Sequence, residues 1–300
     1  MISGNDGVAM QVGQRATLKR SFTQEDFDRF AALSGDDNPI HVDPVFCART
    51  RFGSTVAHGM LLYGTICRAI GTQLPGPGSL QIEQRMVFHH PTYAGTDISV
   101  QLEVVAADAH AQTAEIRTLV LLPDARPACD GRTLVRVPGG RGGFEGACAP
   151  EFWEGRSEAA ALGPLAVGQA GSTRRVFTPE DLAQYTNLTG DSNPLFTDPA
   201  YARRAGFTGC LVPGPLVSGL FSKLLGTEVP GGGTNWLKQH LFFPAPAPVG
   251  DELTARVEIV RIRPEKFLVN LRGTCSDSSG RAVCRAESLV LVRDVAGMAS

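Results

Sequence analysis

The chain states one pattern twice, 155 residues apart. Phe22-Thr23-Gln24-Glu25-Asp26 returns as Phe177-Thr178-Pro179-Glu180-Asp181. Leu33-Ser34-Gly35-Asp36-Asp37-Asn38-Pro39-Ile40-His41 returns as Leu188-Thr189-Gly190-Asp191-Ser192-Asn193-Pro194-Leu195-Phe196. The offset holds without a gap from Val12 and Val167 to Val137 and Val292. Solenoid repeats are far shorter, so a period this long marks a duplicated domain. Each copy is long enough for its own core, and 300 residues suit two such domains. The duplication is also an internal control. Positions shared by both copies serve the fold, and polar positions found in one copy are candidates for chemistry. By that test His41, opposite Phe196, and His58, opposite Pro213, stand out.

Each copy follows one plan. Thr23 opens a helix with Asp26 three residues on, a variant of the capping box, and Thr178 with Asp181 repeats it. Phe27, Phe30, Ala31 and Leu33 share one face, and Gly35 ends the helix. Asp43-Pro44 is a second start, a cap followed by proline at the first helical position, mirrored in Asp198-Pro199. The segment from Gly59 to Thr72 is apolar on nearly every side and predicts a buried helix; its counterpart runs from Gly214 to Leu225. The period then changes to that of strands: Leu80 to Phe88, Ile98 to Ala106, Thr113 to Leu122 and Thr133 to Val137. Glu252 to Val260, Phe267 to Cys275 and Ala286 to Arg293 do the same in the second copy. The pattern predicts α+β units, each a mainly antiparallel sheet wrapped around one apolar helix.

The stretch 139–166 has no counterpart between the repeats. It is glycine-rich at Gly139-Gly140-Arg141-Gly142-Gly143 and then alanine-rich, so it reads as a linker between an N-terminal domain (1–138) and a C-terminal one (167–300). Glu151-Phe152-Trp153 within it is a candidate for docking on a surface. A formal charge of −2 gives no reason to expect nucleic acid as a partner. No run approaches the ~20 apolar residues of a membrane span. Residues 1–11 lack a basic region followed by an apolar core. The seven cysteines are scattered and never form a C-x-x-C pair, which argues against a disulfide framework and a structural zinc site. A cytoplasmic protein is the expectation. His89 and His90, before Pro91, read as strand-end residues rather than metal ligands.

The run Phe30-Ala31-Ala32-Leu33-Ser34-Gly35-Asp36-Asp37-Asn38-Pro39-Ile40-His41-Val42-Asp43 resembles the hydratase signature of the MaoC-like, (R)-specific enoyl-CoA hydratases. Phe52-Gly53 and then Ala57-His58-Gly59-Met60-Leu61 match the rest of that signature. The resemblance covers the first copy strongly and the second as a worn version. It implies the hotdog fold, here as a double hotdog. It also implies that Asp36 and His41 are the catalytic pair and that the backbone N–H of Gly59 binds the thioester oxygen. Hydration of an α,β-unsaturated thioester suits these residue types: a carboxylate and an imidazole sharing one water can take and return its protons. An N–H at a helix start aims its positive end at a developing oxyanion.

The internal control tempers this reading. Asp36 recurs as Asp191, so part of its role is expected in the turn before Pro39. Asn38 and Asn193 are both kept, as are their prolines, which points to turn formation, although Asn38 also stays a candidate substrate contact. His58 is expected either to shape the mouth of the site or cap the central helix, or to touch substrate, with Met60 beside it. The family places a serine in the central helix nine residues after His58. Here that position is Cys67, whereas the second copy has Ser222; a thiol is a weaker donor, so weaker support for Asp36 or His41 is expected.

The second copy lacks His41's counterpart, and its Pro215 has no N–H at the helix start. One active site per chain is therefore expected, with the second half supplying the other wall of the acyl tunnel. The resemblance implies hydration of a trans-2-enoyl-CoA or the reverse dehydration, with no cofactor and no metal, on an acyl-CoA or acyl-carrier-protein substrate. Association into a homodimer of double hotdogs is a further expectation. A dehydratase for carrier-bound groups, an acyl-CoA thioesterase and a non-catalytic acyl-binding subunit are the alternatives.

Overall fold

The computed structural model of the chain describes residues 10–139 and 161–297. The first copy contributes β1 (Arg15–Ser21), α1 (Gln24–Ser34), α2 (Pro39–Val42), α3 (Pro44–Cys47), α4 (Gly59–Thr72), β2 (Leu80–Phe88), β3 (Asp97–Asp108), β4 (Thr113–Leu121) and β5 (Pro127–Arg136). A short hairpin follows, β6 (Ala161–Leu162) and β7 (Leu165–Ala166). The second copy repeats the plan as β8 (Ala170–Val176), α5 (Pro179–Thr189), α6 (Pro194–Thr197), α7 (Pro199–Arg204), α8 (Gly214–Thr227), β9 (Asn235–Phe242), β10 (Glu252–Arg263), β11 (Leu268–Ser276) and β12 (Ala282–Leu291). The helix starts are where the caps predict them. Thr23 accepts the Asp26 N–H while the Asp26 side chain accepts the Thr23 N–H, and Thr178 with Asp181 does likewise. Gly35 and Gly190 close these helices at φ of 77° and 76°.

The two halves form one sheet. Its ten strands run β1-β3-β4-β5-β2-β9-β12-β11-β10-β8, with β2 and β9 antiparallel at the seam. Arg85 on β2 pairs with His240 on β9, its own counterpart at the repeat offset, so a pseudo-twofold axis passes through this pair. The sheet curls around α4 and α8, which pack on each other and on both halves. Met60, Leu61, Ile66 and Ile70 of α4 are fully buried, each stabilising the fold by about 1.5–3 kcal/mol. Among the described residues no helix is long and apolar enough to cross a membrane.

The sequence pattern left out three strands of the ten-stranded sheet. β1 and β8 are polar edge strands, and β9 opens with Asn-Trp-Leu-Lys, where alternation is weak. β5 begins at Pro127, not Thr133, because its pairing with β2 overrides the turn-like Pro127, Asp130 and Gly131. Gly131 is needed there, since a Cβ would lie 1.8 Å from the Arg85 carbonyl oxygen. Residues 140–160, most of the expected linker and all of Glu151-Phe152-Trp153, lie outside the described residues. The end of that stretch is ordered as β6 and β7, with Leu165 buried in the core.

Candidate active site

Asp36 follows the Gly35 cap of α1 and is held from two directions. Its Oδ1 accepts the Asn38 N–H at 3.3 Å, and its Oδ2 accepts the Ser222 hydroxyl at 2.5 Å. Ser222 lies on α8, in the other half of the molecule, 186 residues away. The expectation that Cys67 provides this support therefore needs correction. The central helices cross the pseudo-twofold axis, so each serves the acidic loop of the opposite half, and the donor to Asp36 is a serine hydroxyl.

Asn38 bolts the same two halves together. Its amide donates to the Thr234 carbonyl at 2.9 Å, and its Oδ1 accepts the Gly233 N–H at 3.0 Å. Asn193 makes the mirror contacts to Ser79 and Gly78. Only glycine fits at position 226, where a Cβ would lie 2.6 Å from Asp36 Oδ1. Asn38 borders the cavity, but its side chain is already committed to the seam.

His41 is carried by α2, where Pro39 and the Asn38 cap set the turn. Its Nδ1 lies 2.7 Å from the Val56 carbonyl oxygen, which can only accept, so Nδ1 carries the proton and Nε2 of the neutral ring is bare. Burial holds the His41 pKa below the ordinary histidine value, outweighing the attraction of Asp36 and the Val56 hydrogen bond. The ring is thus a neutral base near pH 7.

These groups border a cavity of about 840 Å³, its open mouth included. Asp36, His41, Ser222 and Gly59 line it together with apolar Leu62, Phe88 and Leu225, and Arg51, His89 and His90 border the same cavity. Gly59 is the first residue of α4, so its N–H has no intrahelical acceptor. A Cβ on it would meet Phe88 Cζ at 2.8 Å.

Of the residues expected at the site, Asp36, Asn38, His41 and Gly59 border the cavity, and His58, Met60 and Cys67 do not. His58 lies behind His41, and it makes no side-chain cap to α4. Met60 is buried between the central helices, its sulfur accepting the Ser218 hydroxyl. Cys67 belongs to a different place altogether. Sequence reasoning missed Phe88 and Leu225 as walls, and Ser222 as part of the site; the exchange of Cys67 and Ser222 between copies was the available signal.

Cys67 faces the mirror site around Asp191. There the Tyr185 hydroxyl donates to Asp191 Oδ2 at 3.2 Å, Cys67 Sγ donates to Gln81 Oε1 at 3.2 Å, and the Tyr63 hydroxyl also donates to Gln81. Phe196 stands where the first copy has His41. Beside Gly214, the counterpart of Gly59, stand polar groups of the first copy: a Cβ there would lie 2.9 Å from the Tyr63 hydroxyl and 3.4 Å from Gln81 Oε1. Burial pushes Asp191 up to about 6 and keeps the Cys67 thiol well above its usual range, so Cys67 is no nucleophile. The mirror cavity, about 530 Å³ with its open mouth included, is lined by neither Asp191 nor any histidine.

Asp36, His41 and His58 offer donor atoms within 4.8 Å of one another, the one such group among the described residues that could be considered for a metal. They fit a metal poorly. The two imidazoles stack at 3.8 Å, so their in-plane lone pairs run side by side instead of converging on one point. The spacing suits a water held between Asp36 and His41 better.

A family model described as "MaoC like domain" matches residues 8–123 and again 166–275. The (R)-specific enoyl-CoA hydratase of Aeromonas caviae is 35% identical over 130 residues, covering 43% of this chain and 97% of that protein. A mitochondrial 3-hydroxyacyl-[acyl-carrier-protein] dehydratase of Solanum lycopersicum is 36% identical over 138 residues, covering 45% of this chain and 82% of its own. A solved structure from Mycobacterium tuberculosis, described as a double hotdog, superposes with a TM-score of 0.71 at 16% identity, covering 94% of this chain and 96% of that one. The fold of this chain is likewise a double hotdog.

Proposed function

The chain belongs to the MaoC-like domain family, and from that premise we propose that it is a hydro-lyase interconverting a trans-2-enoyl-CoA and an (R)-3-hydroxyacyl-CoA. The observation that carries this reading is the pairing of a buried carboxylate with a neutral, buried imidazole whose bare Nε2 shares a cavity with it. A water held between Asp36 and His41 loses a proton to the pair as its oxygen bonds to C3 of the enoyl group. Charge then moves to the thioester oxygen, where the Gly59 N–H receives it, a donor worth roughly 3 kcal/mol in the transition state. C2 takes a proton back from the pair, so water is added across the double bond with nothing left over. Run backwards, the same steps dehydrate the hydroxyacyl group.

The residues assigned to the first copy, 1–138, carry this chemistry. Those of the second, 167–300, supply Ser222 and the opposite wall, with 139–166 between them. One site per chain is supported by the mirror cavity, which neither Asp191 nor a histidine lines, and by Phe196 in the place of His41. The six described cysteines are all free, which accords with a reducing compartment such as the cytoplasm. A homodimer of double hotdogs remains part of this reading.

The test is turnover of crotonyl-CoA and longer trans-2-enoyl-CoAs, followed by loss of enoyl absorbance. Asp36→Asn and His41→Gln should each lower kcat by at least about 10³-fold without unfolding the protein. Thiol release from saturated acyl-CoA, with no hydration of any enoyl-CoA, would replace this reading by a thioesterase.

A further inference from the structure

His58 is used by no step of the reaction, yet it is completely buried against both residues assigned to it. Its ring stacks on His41 with centroids 3.8 Å apart and planes 27° apart. The ring of Phe30 lies 5.0 Å away, tilted by 59°. His58 Nε2 lies 2.9 Å from the backbone oxygen of Asp36, which can only accept, so Nε2 carries the proton. The other nitrogen, Nδ1, has no hydrogen-bond partner. One side chain thus touches the His41 ring through its face and the Asp36 backbone through its edge.

The second copy shows that the fold does not require this histidine. Pro213 takes its place at φ −58° and ψ 143°, against −59° and 137° for His58, and α8 starts as α4 does. What changes with it is the site: Phe196 replaces His41, and Tyr185 replaces Phe30. A buried imidazole with one unpaired nitrogen costs stability, and in the second copy, where there is no His41, it is not retained.

We propose that His58 is a positioning residue that sets the spacing between Asp36 and His41. Its N–H fixes the Asp36 main chain, its ring face fixes the plane of His41, and the interval between the donor atoms of the two side chains, within 4.8 Å, follows from both. Misplacement of a reacting group by a fraction of an ångström lowers kcat while leaving the cavity that binds the acyl thioester as it was. The inference rests on the hydro-lyase reading above.

The experiment compares wild type, His58→Gln and His58→Phe on crotonyl-CoA at the plateau of the pH profile, with denaturation midpoints for each. Gln carries an N–H that reaches the Asp36 carbonyl; Phe keeps a ring but leaves that carbonyl unpaired. We expect kcat of His58→Phe to fall roughly 10- to 100-fold with KM within about twofold, and His58→Gln to recover to within about fivefold of wild type. If His58→Phe does not fold, His58→Asn, too short to reach Asp36, takes its place. A folded His58→Phe with wild-type kcat overturns the proposal, as do equal losses in Gln and Phe, or losses confined to KM. Wild type inactive on every enoyl thioester sinks the hydro-lyase reading instead, and the positioning role with it.

Discussion

Asp191 is a buried carboxyl in the mirror site, and its cost can be measured. Its side chain is completely buried, with one hydroxyl, from Tyr185, and one N–H, from Asn193, as partners. Burial raises its pKa from 3.8 to about 6. A carboxyl with a raised native pKa binds more protons folded than unfolded. Its contribution to stability is therefore complete below pH 3.8 and is lost as pH rises to about 6. That displacement corresponds to about 3 kcal/mol of stability surrendered at neutral pH. Asp191→Asn keeps the shape, accepts the Asn193 N–H and can donate to the Tyr185 oxygen, but has no charge to bury. It should match wild type near pH 4 and exceed it by up to about 3 kcal/mol at pH 8, or about 6 °C in Tm. Thermal or urea unfolding of both proteins at pH 4, 6 and 8 isolates this residue, because every other carboxyl cancels in the difference. Hydration of crotonyl-CoA should be unchanged within about twofold. A variant less stable than wild type at pH 8 would refute the reasoning, since it would mean the native fold uses the charge.

The lowered pKa of His41 predicts that kcat/KM stays on its plateau down to and below pH 6.5 and falls only as the ring protonates; an acid limb centred at 7 or higher would contradict a buried neutral base. Ser222→Cys should lower kcat by roughly 10- to 100-fold, the worth of a hydrogen bond to a buried carboxylate, whereas Cys67→Ser alone should leave kcat within about twofold. The double variant Ser222→Cys/Cys67→Ser, which repairs the first copy's motif on paper, should be as slow as Ser222→Cys alone.

The fold was largely legible because the duplication doubled every signal. Two capping boxes, two glycine stops and two nearly uniform apolar segments locate α1, α4, α5 and α8 without reference to contacts. β1 and β8 escaped because an edge strand needs no alternating apolar face to be held, only a partner. β9 escaped for lack of alternation, although the offset from β2 implied it. Asp36 and His41 were legible from local spacing, since five residues of one loop bring them together. Ser222 was not, because a hydrogen bond spanning 186 residues leaves no local trace. His58 was visible as a single-copy histidine, but its stacking beneath His41 depends on how α2 meets the start of α4.

The two copies also show what unit of the molecule has been kept and what has been lost. Read along the chain, the first copy is intact and the second is worn. Read in space, the division falls elsewhere. Tyr63, Cys67 and Gln81 belong to the first copy but surround Asp191, and Ser222 belongs to the second but holds Asp36. The residues that differ between the copies sort by which carboxylate they approach, since α4 and α8 each cross to the opposite half. A serine at position 67 would add nothing to Asp36, because that turn of α4 faces Gln81 and Asp191 instead. A worn motif in one copy and an unusual residue in the other thus belong to one place, the surroundings of Asp191, while both halves supply the residues around Asp36.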